Sequence, residues 1–425
     1  MEAIKKARSL RAASFRYPDI QAAAEKLNGI VRHTPLEFNQ VLSDRFDAEI
    51  YLKREDLQVV RSYKVRGAYN MMSELSAEEL SRGVVCASAG NHAQGFAFAC
   101  KLLGVRGHIF MPVITPRQKL NQVEYFGGDR IEIHLVGDNF DQCQQEAMAF
   151  CIEANSTFIP PFDHPAILAG QGTVGLEIMQ DLPDAEIIIV PVGGGGLAAG
   201  IGHLVNSAYP HVNMIGVEPS GAPSMTAALA QGKPVGLSEI DTFIDGAAVK
   251  CVGKYTFELC KKYLQEMLLV PEGKVCSTII QLYNEQAIVA EPAGALSIAV
   301  LDQIREKIRG KKVVCVISGG NNDLNRLADI QERSLQYEGL KHYFLVKFAQ
   351  RPGALKEFVN HVLGPGDDIA RFEYIRKNNK EIGPALIGIE LKSREDYAIL
   401  ISNMQQFGFD FTELNKDDKL FGYLV

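Results

Sequence analysis

From residue 49 onward, apolar residues arrive in two alternating rhythms. Short runs rich in valine and isoleucine, at 49–53, 84–87, 108–111, 131–135, 187–190, 214–217 and 313–317, read as strands. Between them, apolar positions that recur every three or four residues predict amphipathic helices, among them 94–103, 116–126, 141–153 and 197–206. Strands and helices in alternation predict parallel α/β sheets with helices on both faces. In such sheets ligands sit beyond the carboxyl ends of the strands, so the loops that follow the strands are where chemistry is expected.

The chain changes character after a polar stretch at 331–339, which reads as a linker. Beyond it the pattern predicts strand 342–348, helix 354–362, strands 369–376 and 385–391, helix 394–407 and strand 409–414. That order, βαββαβ, is a ferredoxin-like α+β arrangement the size of one small domain. The expected division is therefore a region 1–330 that carries the chemistry, the linker, and a domain 340–425.

Composition narrows the function. The chain has 425 residues, a net charge of -7 and a pI near 5.8, with no long basic run, which argues against a nucleic-acid surface as its main purpose. No apolar run approaches the roughly 20 residues needed to span a bilayer, so no membrane partner is expected. The eight cysteines show no CxxC pair and read as buried thiols of a reducing, cytoplasmic protein. The first 17 residues are basic and read as a surface helix, with an organelle transit peptide as the alternative.

Four loops hold the candidate chemistry. In 62–68 (SYKVRGA), Lys64 stands between small or apolar neighbours just before a helical run. A lysine amine attacks a carbonyl only when deprotonated, which desolvation or a nearby cation promotes, and Arg66 is at hand to be that cation. In 88–95 (SAGNHAQG), a small-residue turn leads into a helix whose free N–H groups suit an anion such as a carboxylate. There Asn91 offers an amide to a phenolic oxygen, and His92 reads as a structural side chain; a plain N-cap is the alternative. In 191–197 (PVGGGGL), Gly193 to Gly196 let a backbone approach a phosphate and aim its N–H groups at it. Gly193, Gly195 and Ala198 also match a dinucleotide fingerprint, with Glu218 standing where a ribose-binding acid would, which keeps a dinucleotide-dependent oxidoreductase as a rival. In 318–322 (SGGNN), a hydroxyl follows a strand, with glycines that let a flat group lie close. A pyridine ring bearing aldehyde, phenol and phosphate needs a partner for each group, so Lys64, Asn91 and Ser318 together favour pyridoxal phosphate.

These four motifs, in this order, resemble the biosynthetic threonine dehydratases (threonine ammonia-lyases) of the fold-type II pyridoxal phosphate family, and the resemblance runs through nearly the whole chain. It implies a tryptophan synthase β-like catalytic region of two parallel-sheet domains, the smaller at about 57–162, with the cofactor between them. It further implies that Lys64 forms the Schiff base and Asn91 contacts the ring oxygen. Gly193, Gly194, Gly195, Gly196 and Leu197 would hold the phosphate, and Ser318 would meet the pyridine nitrogen. Ser88, Ala89, Gly90, Asn91 and His92 would hold the substrate carboxylate. The implied reaction is dehydration and deamination of L-threonine to 2-oxobutanoate and ammonia, the first step of isoleucine biosynthesis; L-serine dehydration or racemisation is the near alternative. Residues 218–224 resemble a cation-binding loop, with Glu218, Ala222 and Ser224 as ligands of a monovalent ion such as potassium, or a turn without an ion. The stretch 291–295 (EPAGA) also matches the family and implies a place for Glu291 near the cofactor, with the start of a Pro-initiated helix as the alternative that explains the motif by itself. In the last domain, 351–355 (RPGAL) resembles the loop of ACT-type regulatory domains. That implies feedback by isoleucine opposed by valine, or a dimerisation domain without a ligand, in a homo-oligomer of two or four chains.

Overall fold

The structure is a computed structural model that describes residues 16–374, 381–416 and 418–424. Most of the basic N-terminal stretch, and the end of the strand expected at 369–376, lie outside the described residues. The chain forms two compact units that meet in sequence between Asp323 and Leu324. Among the described residues no helix is long and apolar enough to cross a membrane.

The first unit contains two sheets. Its strands are β1 (Leu36–Phe38), β2 (Glu49–Arg54), β3 (Val84–Ala87), β4 (Gly107–Met111), β5 (Ile131–Leu135), β6 (Thr157–Phe158), β7 (Ile187–Pro191), β8 (Asn213–Pro219), β9 (Glu266–Val270) and β10 (Lys312–Ile317). The larger sheet runs β1-β2-β10-β7-β8-β9, parallel except for β1. The smaller, β5-β4-β3-β6, is parallel throughout. Strands β3 and β7 are buried along their whole length, as expected of parallel strands covered by helices on both faces. The expected strands and helices are present within a few residues of their expected ends. β1, β6 and β9 were not expected, because the first two are too short to show a period and β9 is a half-buried edge.

Helix Lys64–Ser73 is fixed between two neighbours by missing side chains. A Cβ on Gly67 would lie 2.5 Å from the Gln171 amide and 2.9 Å from the Ile167 carbonyl oxygen, and one on Gly170 would lie 2.5 Å from the Arg66 carbonyl oxygen. Helix Pro165–Asp181 therefore crosses it backbone to backbone. On its other side a Cβ on Gly95, in helix Asn91–Leu103, would lie 2.9 Å from the backbone of Val65. Beneath this junction is a fully buried ionic cluster. Arg66 binds Glu55 at 2.7 and 2.9 Å and Glu177 at 2.6 and 2.9 Å, and Lys53 binds Glu177 at 2.6 Å. Burial opposes ionisation of Glu177, but Arg66 and Lys53 outweigh it and hold its carboxyl below the ordinary range.

The second unit opens with helix Leu327–Tyr337. The stretch expected as a polar linker is thus mostly helical. Within this helix Ile330 and Ser334 are buried and Glu332 accepts from the Tyr343 hydroxyl at 2.8 Å. Then follow β11 (Lys341–Ala349), helix Ala354–His361, β12 (Asp368–Tyr374), β13 (Ile382–Glu390), helix Asp396–Gln406, β14 (Asp410–Glu413) and helix Asp418–Leu424. The antiparallel order β12-β13-β11-β14 is the ferredoxin-like arrangement expected, over a core that includes Phe344, Phe348, Phe358, Ile387 and Leu400.

Candidate active site

The four loops singled out by sequence all leave carboxyl ends of strands, and three backbone contacts join the first to the last. Residues 61–63 lie antiparallel to 318–320: Ser62 bridges Gly319, the Tyr63 amide donates to the Ser318 carbonyl at 3.2 Å, and the Gly320 amide donates to the Arg61 carbonyl at 2.9 Å. This sets Lys64, the first residue of its helix, beside the end of β10. Helix Asn91–Leu103 brings the 88–92 turn against the same helix through Gly95.

Lys64 is half-buried, and its Nζ donates to the Pro161 carbonyl at 3.0 Å. Burial lowers its pKa from 10.5 to about 8, against the opposing charge of Glu291. Arg66 is not the cation that promotes this. Its charge is spent on Glu55 and Glu177 in the buried cluster, and desolvation does the work instead. Between pH about 8 and 10.5 the folded chain holds fewer protons at this lysine than the unfolded chain, so the group makes stability rise with pH across that window. The same shift sets a rate. Capture of pyridoxal phosphate by the apoprotein is expected to speed up about tenfold per pH unit below 8 and to level off above it, a profile measurable by stopped-flow absorbance. A rate that keeps rising to pH 10 would contradict the lowered pKa.

Asn91 sits at the centre of an amide–carboxylate relay. Its Nδ2 donates to Glu291 Oε1 at 2.7 Å, and its Oδ1 accepts from Asn321 Nδ2 at 2.7 Å. Glu291 also accepts from the Asn321 amide at 3.3 Å, and burial raises its pKa to about 7. One amide hydrogen of Asn91 is thus committed to the protein and the second remains for a ligand. Ser88 Oγ accepts from the Gly90 amide at 3.2 Å, which tightens the turn. The first helical bond runs from the Gln94 amide to the Gly90 carbonyl, so the amides of Asn91, His92 and Ala93 open the helix without carbonyl partners inside it. Burial pushes the His92 pKa down to about 3, and the neutral ring donates from Nε2 to the Ile159 carbonyl at 2.9 Å. Its side chain braces the fold, as the sequence reading favoured.

Two carbonyls of the glycine loop are held by helix Lys254–Tyr263. Thr256 Oγ1 donates to the Gly194 carbonyl at 2.7 Å, and Cys260 Sγ lies 3.6 Å from that of Gly195. Gly195 has φ +88°, the left-handed region, and caps helix Gly196–Ala208. Gly196, Leu197 and Ala198 supply the open amides at its start, where the helix dipole adds to the attraction for an anion. A Cβ on Gly193 would lie 2.9 Å from the Ala247 backbone, and one on Gly194 would clash with the ring carbons of Phe162. Gly194→Ala is therefore expected to destabilise the protein by about 1–3 kcal/mol through overpacking and to weaken pyridoxal phosphate binding at least about tenfold. Thermal unfolding and cofactor titration check both.

One stretch the sequence reading passed over threads all of this. In 159–163, the Ile159 carbonyl takes His92, the Pro161 carbonyl takes Lys64 and Phe162 seals the glycine loop. The Asp163 carboxylate caps helix Lys254–Tyr263 through the amides of Lys254, Tyr255 and Thr256 at 2.9–3.1 Å. Its one sequence signal is the Pro160-Pro161 pair, which excludes regular structure at the return from the smaller sheet. Asn321 is a second residue whose part shows only in the fold, where it links Asn91 and Glu291.

Glu218, Ala222 and Ser224 do converge, as a helix cap. Glu218 accepts from the Met225 amide at 2.6 Å, the Thr226 amide at 2.9 Å, the Thr226 hydroxyl at 2.8 Å and the Ser224 hydroxyl at 3.4 Å, and the Ala222 carbonyl accepts from the Ser224 amide at 3.0 Å. Burial raises the Glu218 pKa to about 7. Both Glu218 oxygens are engaged by helix Ser224–Gln231.

The donor set fits pyridoxal phosphate: an amine of lowered pKa, open amides at two helix starts, a glycine cradle packed against Phe162 and a nearly buried hydroxyl at Ser318. Comparison with known proteins agrees. Residues 27–319 match the family described as pyridoxal-phosphate dependent enzyme, and 332–424 match the C-terminal regulatory domain of threonine dehydratase. The chain is 55% identical to the biosynthetic L-threonine dehydratase of Halalkalibacterium halodurans over 96% of its length and 98% of that protein's. It is 54% identical to that of Bacillus subtilis, over 96% of each. Among solved structures, the processed form of threonine deaminase isoform 2 from Solanum lycopersicum superposes with a TM-score of 0.72 at 43% identity, covering 75% of this chain and 92% of that one. Maize serine racemase gives a TM-score of 0.70 at 27% identity, covering 76% and 98%. With a cofactor cradle in its first unit and a matched regulatory domain in its second, the chain belongs to the pyridoxal-phosphate dependent enzymes of the threonine dehydratase type.

Proposed function

We propose that this chain converts L-threonine to 2-oxobutanoate and ammonia, the first step of isoleucine biosynthesis, with pyridoxal phosphate as cofactor. The observation that carries this reading is Lys64, an amine of lowered pKa at the meeting point of four ligand loops, in a chain more than half identical to a named biosynthetic threonine dehydratase. When bound, the cofactor supplies the electron sink that makes the α-hydrogen of an amino acid acidic. Lys64 Nζ anchors it and takes the α-proton of the substrate. The amides of Gly193 to Leu197 hold the phosphate, Asn91 reaches the ring oxygen and Ser318 the ring nitrogen. A serine hydroxyl need not protonate that nitrogen, which favours elimination over transamination. Ser88 to His92 receive the substrate carboxylate at the start of their helix.

In the same reading residues 1–330 make the catalytic region. The smaller domain lies at about 57–162, a range that contains every strand of the smaller sheet. The second unit senses amino acids, isoleucine lowering activity and valine opposing it. Supporting this are the regulatory-domain match and Gly353, whose φ of +91° turns the 351–355 loop into helix Ala354–His361. The working enzyme is cytoplasmic and a homo-oligomer of two or four chains.

The test is product analysis of purified holoenzyme with L-threonine and L-serine in parallel, with and without isoleucine. 2-Oxobutanoate formed faster from L-threonine than pyruvate from L-serine is the expected result. Faster pyruvate, or D-serine without a keto acid, would move the substrate elsewhere in the family.

A further inference from the structure

On the smaller sheet, three metal-ligating side chains converge on the face covered by helix Phe140–Glu153, opposite the face that packs on helix Asn91–Leu103. They are His108 on β4 and Glu132 and His134 on the edge strand β5. Parallel pairing sets His108 opposite Glu132 and Phe110 opposite His134. The two-residue period of a strand then sends all three side chains to one side.

The spacing is that of a coordination polyhedron. His108 Nδ1 lies 3.0 Å from His134 Nε2 and 3.7 Å from one Glu132 oxygen, and the other oxygen lies 3.9 Å from His134 Nε2. A tetrahedral ion held through bonds of about 2.0–2.1 Å keeps its ligand atoms about 3.3 Å apart. The imidazole pair is slightly closer than that value, and each ring nitrogen has its own Glu132 oxygen a few tenths of an ångström beyond it, so one oxygen closes the set when the carboxylate turns inward. A hydrogen bond between two neutral imidazoles accounts for the first distance and the pairing with Arg106 for one Glu132 oxygen, but neither calls for both ring nitrogens to have a carboxylate oxygen within 4 Å.

The surroundings complete a site. Phe150 lies 4.6 Å from the His108 ring and 5.6 Å from the His134 ring, and Phe110 stacks on His134 at 4.5 Å, so an apolar wall limits how the rings rotate. Arg106 donates to Glu132 at 3.0 Å, the outer contact that orients a ligating carboxylate. Glu132 is about half exposed and leaves the solvent side open for water or a further ligand.

We propose that His108, Glu132 and His134 bind a divalent transition-metal ion of the zinc type, which clips edge strand β5 to β4. Two imidazoles and one carboxylate select such an ion over magnesium or calcium, which take oxygen ligands. The site makes no use of the cofactor cleft.

The experiment is metal counting on holoenzyme dialysed against micromolar Zn2+, for wild type, His134→Asn and Glu132→Gln, with thermal unfolding followed alongside. Wild type is expected to hold one more Zn2+ per chain than either variant, and its melting temperature, but not theirs, to rise with the ion. The exposed Cys251 and any other adventitious ligand are common to all three proteins and cancel in the difference. Should His134→Asn not fold, Glu132→Gln decides, since it keeps the size and shape of a side chain that is about half exposed. Equal counts in wild type and the folded variants, or no bound ion in wild type, overturn the proposal.

Discussion

Lys64→Ala is expected to lower turnover by at least about a thousandfold, because one side chain then fails in two roles, anchoring the cofactor and moving the α-proton. The fold is expected to survive. Lys64 gives the protein one hydrogen bond, to the Pro161 carbonyl, and loss of such a bond costs about 1 kcal/mol. A neutral alanine also relieves the expense of a charge in that setting. Steady-state rates with L-threonine, with the near-visible absorbance of bound pyridoxal phosphate and the far-UV circular dichroism melt, separate the possibilities. The prediction requires the rate to collapse and the lysine-dependent absorbance to vanish while the melt stays in place. A variant that keeps a tenth of wild-type turnover would remove Lys64 from the chemistry.

Arg66→Met is expected to be the most damaging single change to stability, at about 3–5 kcal/mol, and for a reason unrelated to catalysis. The guanidinium contacts both Glu55 and Glu177 inside the protein, and Lys53 reaches only Glu177. Without it Glu55 keeps a hydrogen bond from Thr34 Oγ1 at 2.5 Å but loses its cation. Arg66→Lys restores the charge without the two-pronged geometry and is expected to fall between Met and wild type. The midpoint of urea unfolding by circular dichroism measures this, and a shift worth less than about 1 kcal/mol would sink the argument. A second readout distinguishes structure from electrostatics. If Arg66 tuned Lys64, the Lys variant would preserve and the Met variant would shift the pH profile of cofactor capture. With its charge neutralised by two carboxylates, neither is expected to move it.

The loops bearing Lys64, Ser88, Gly193 and Ser318 are legible in the chain because each follows a β-branched run, and parallel sheets put ligands at that end. The ferredoxin-like second unit is legible for a similar reason, since alternation along its longer strands separates core from surface. What escaped depends on contacts distant in sequence. Arg66 looks like a neighbouring cation until Glu55 and Glu177 are brought to it by other elements. Gly95 reads as part of an anion turn, yet a Cβ there would meet the Val65 backbone. Glu218 carries no sign in the sequence that the helix after it turns the amides of Met225 and Thr226 back onto its carboxylate. The 159–163 stretch has no period and only backbone carbonyls to offer His92 and Lys64, which no residue-type pattern reports.

Glycines at 67, 95 and 170 leave helix Lys64–Ser73 in backbone contact with the helices on either side. The base of the reactive side chain is thereby immobilised before any ligand arrives. Whatever travel the amine needs between holding a cofactor and meeting a substrate must come from rotation about its own four methylenes. The reach of that tether, rather than any hinge in the main chain, sets how far apart those two positions can lie.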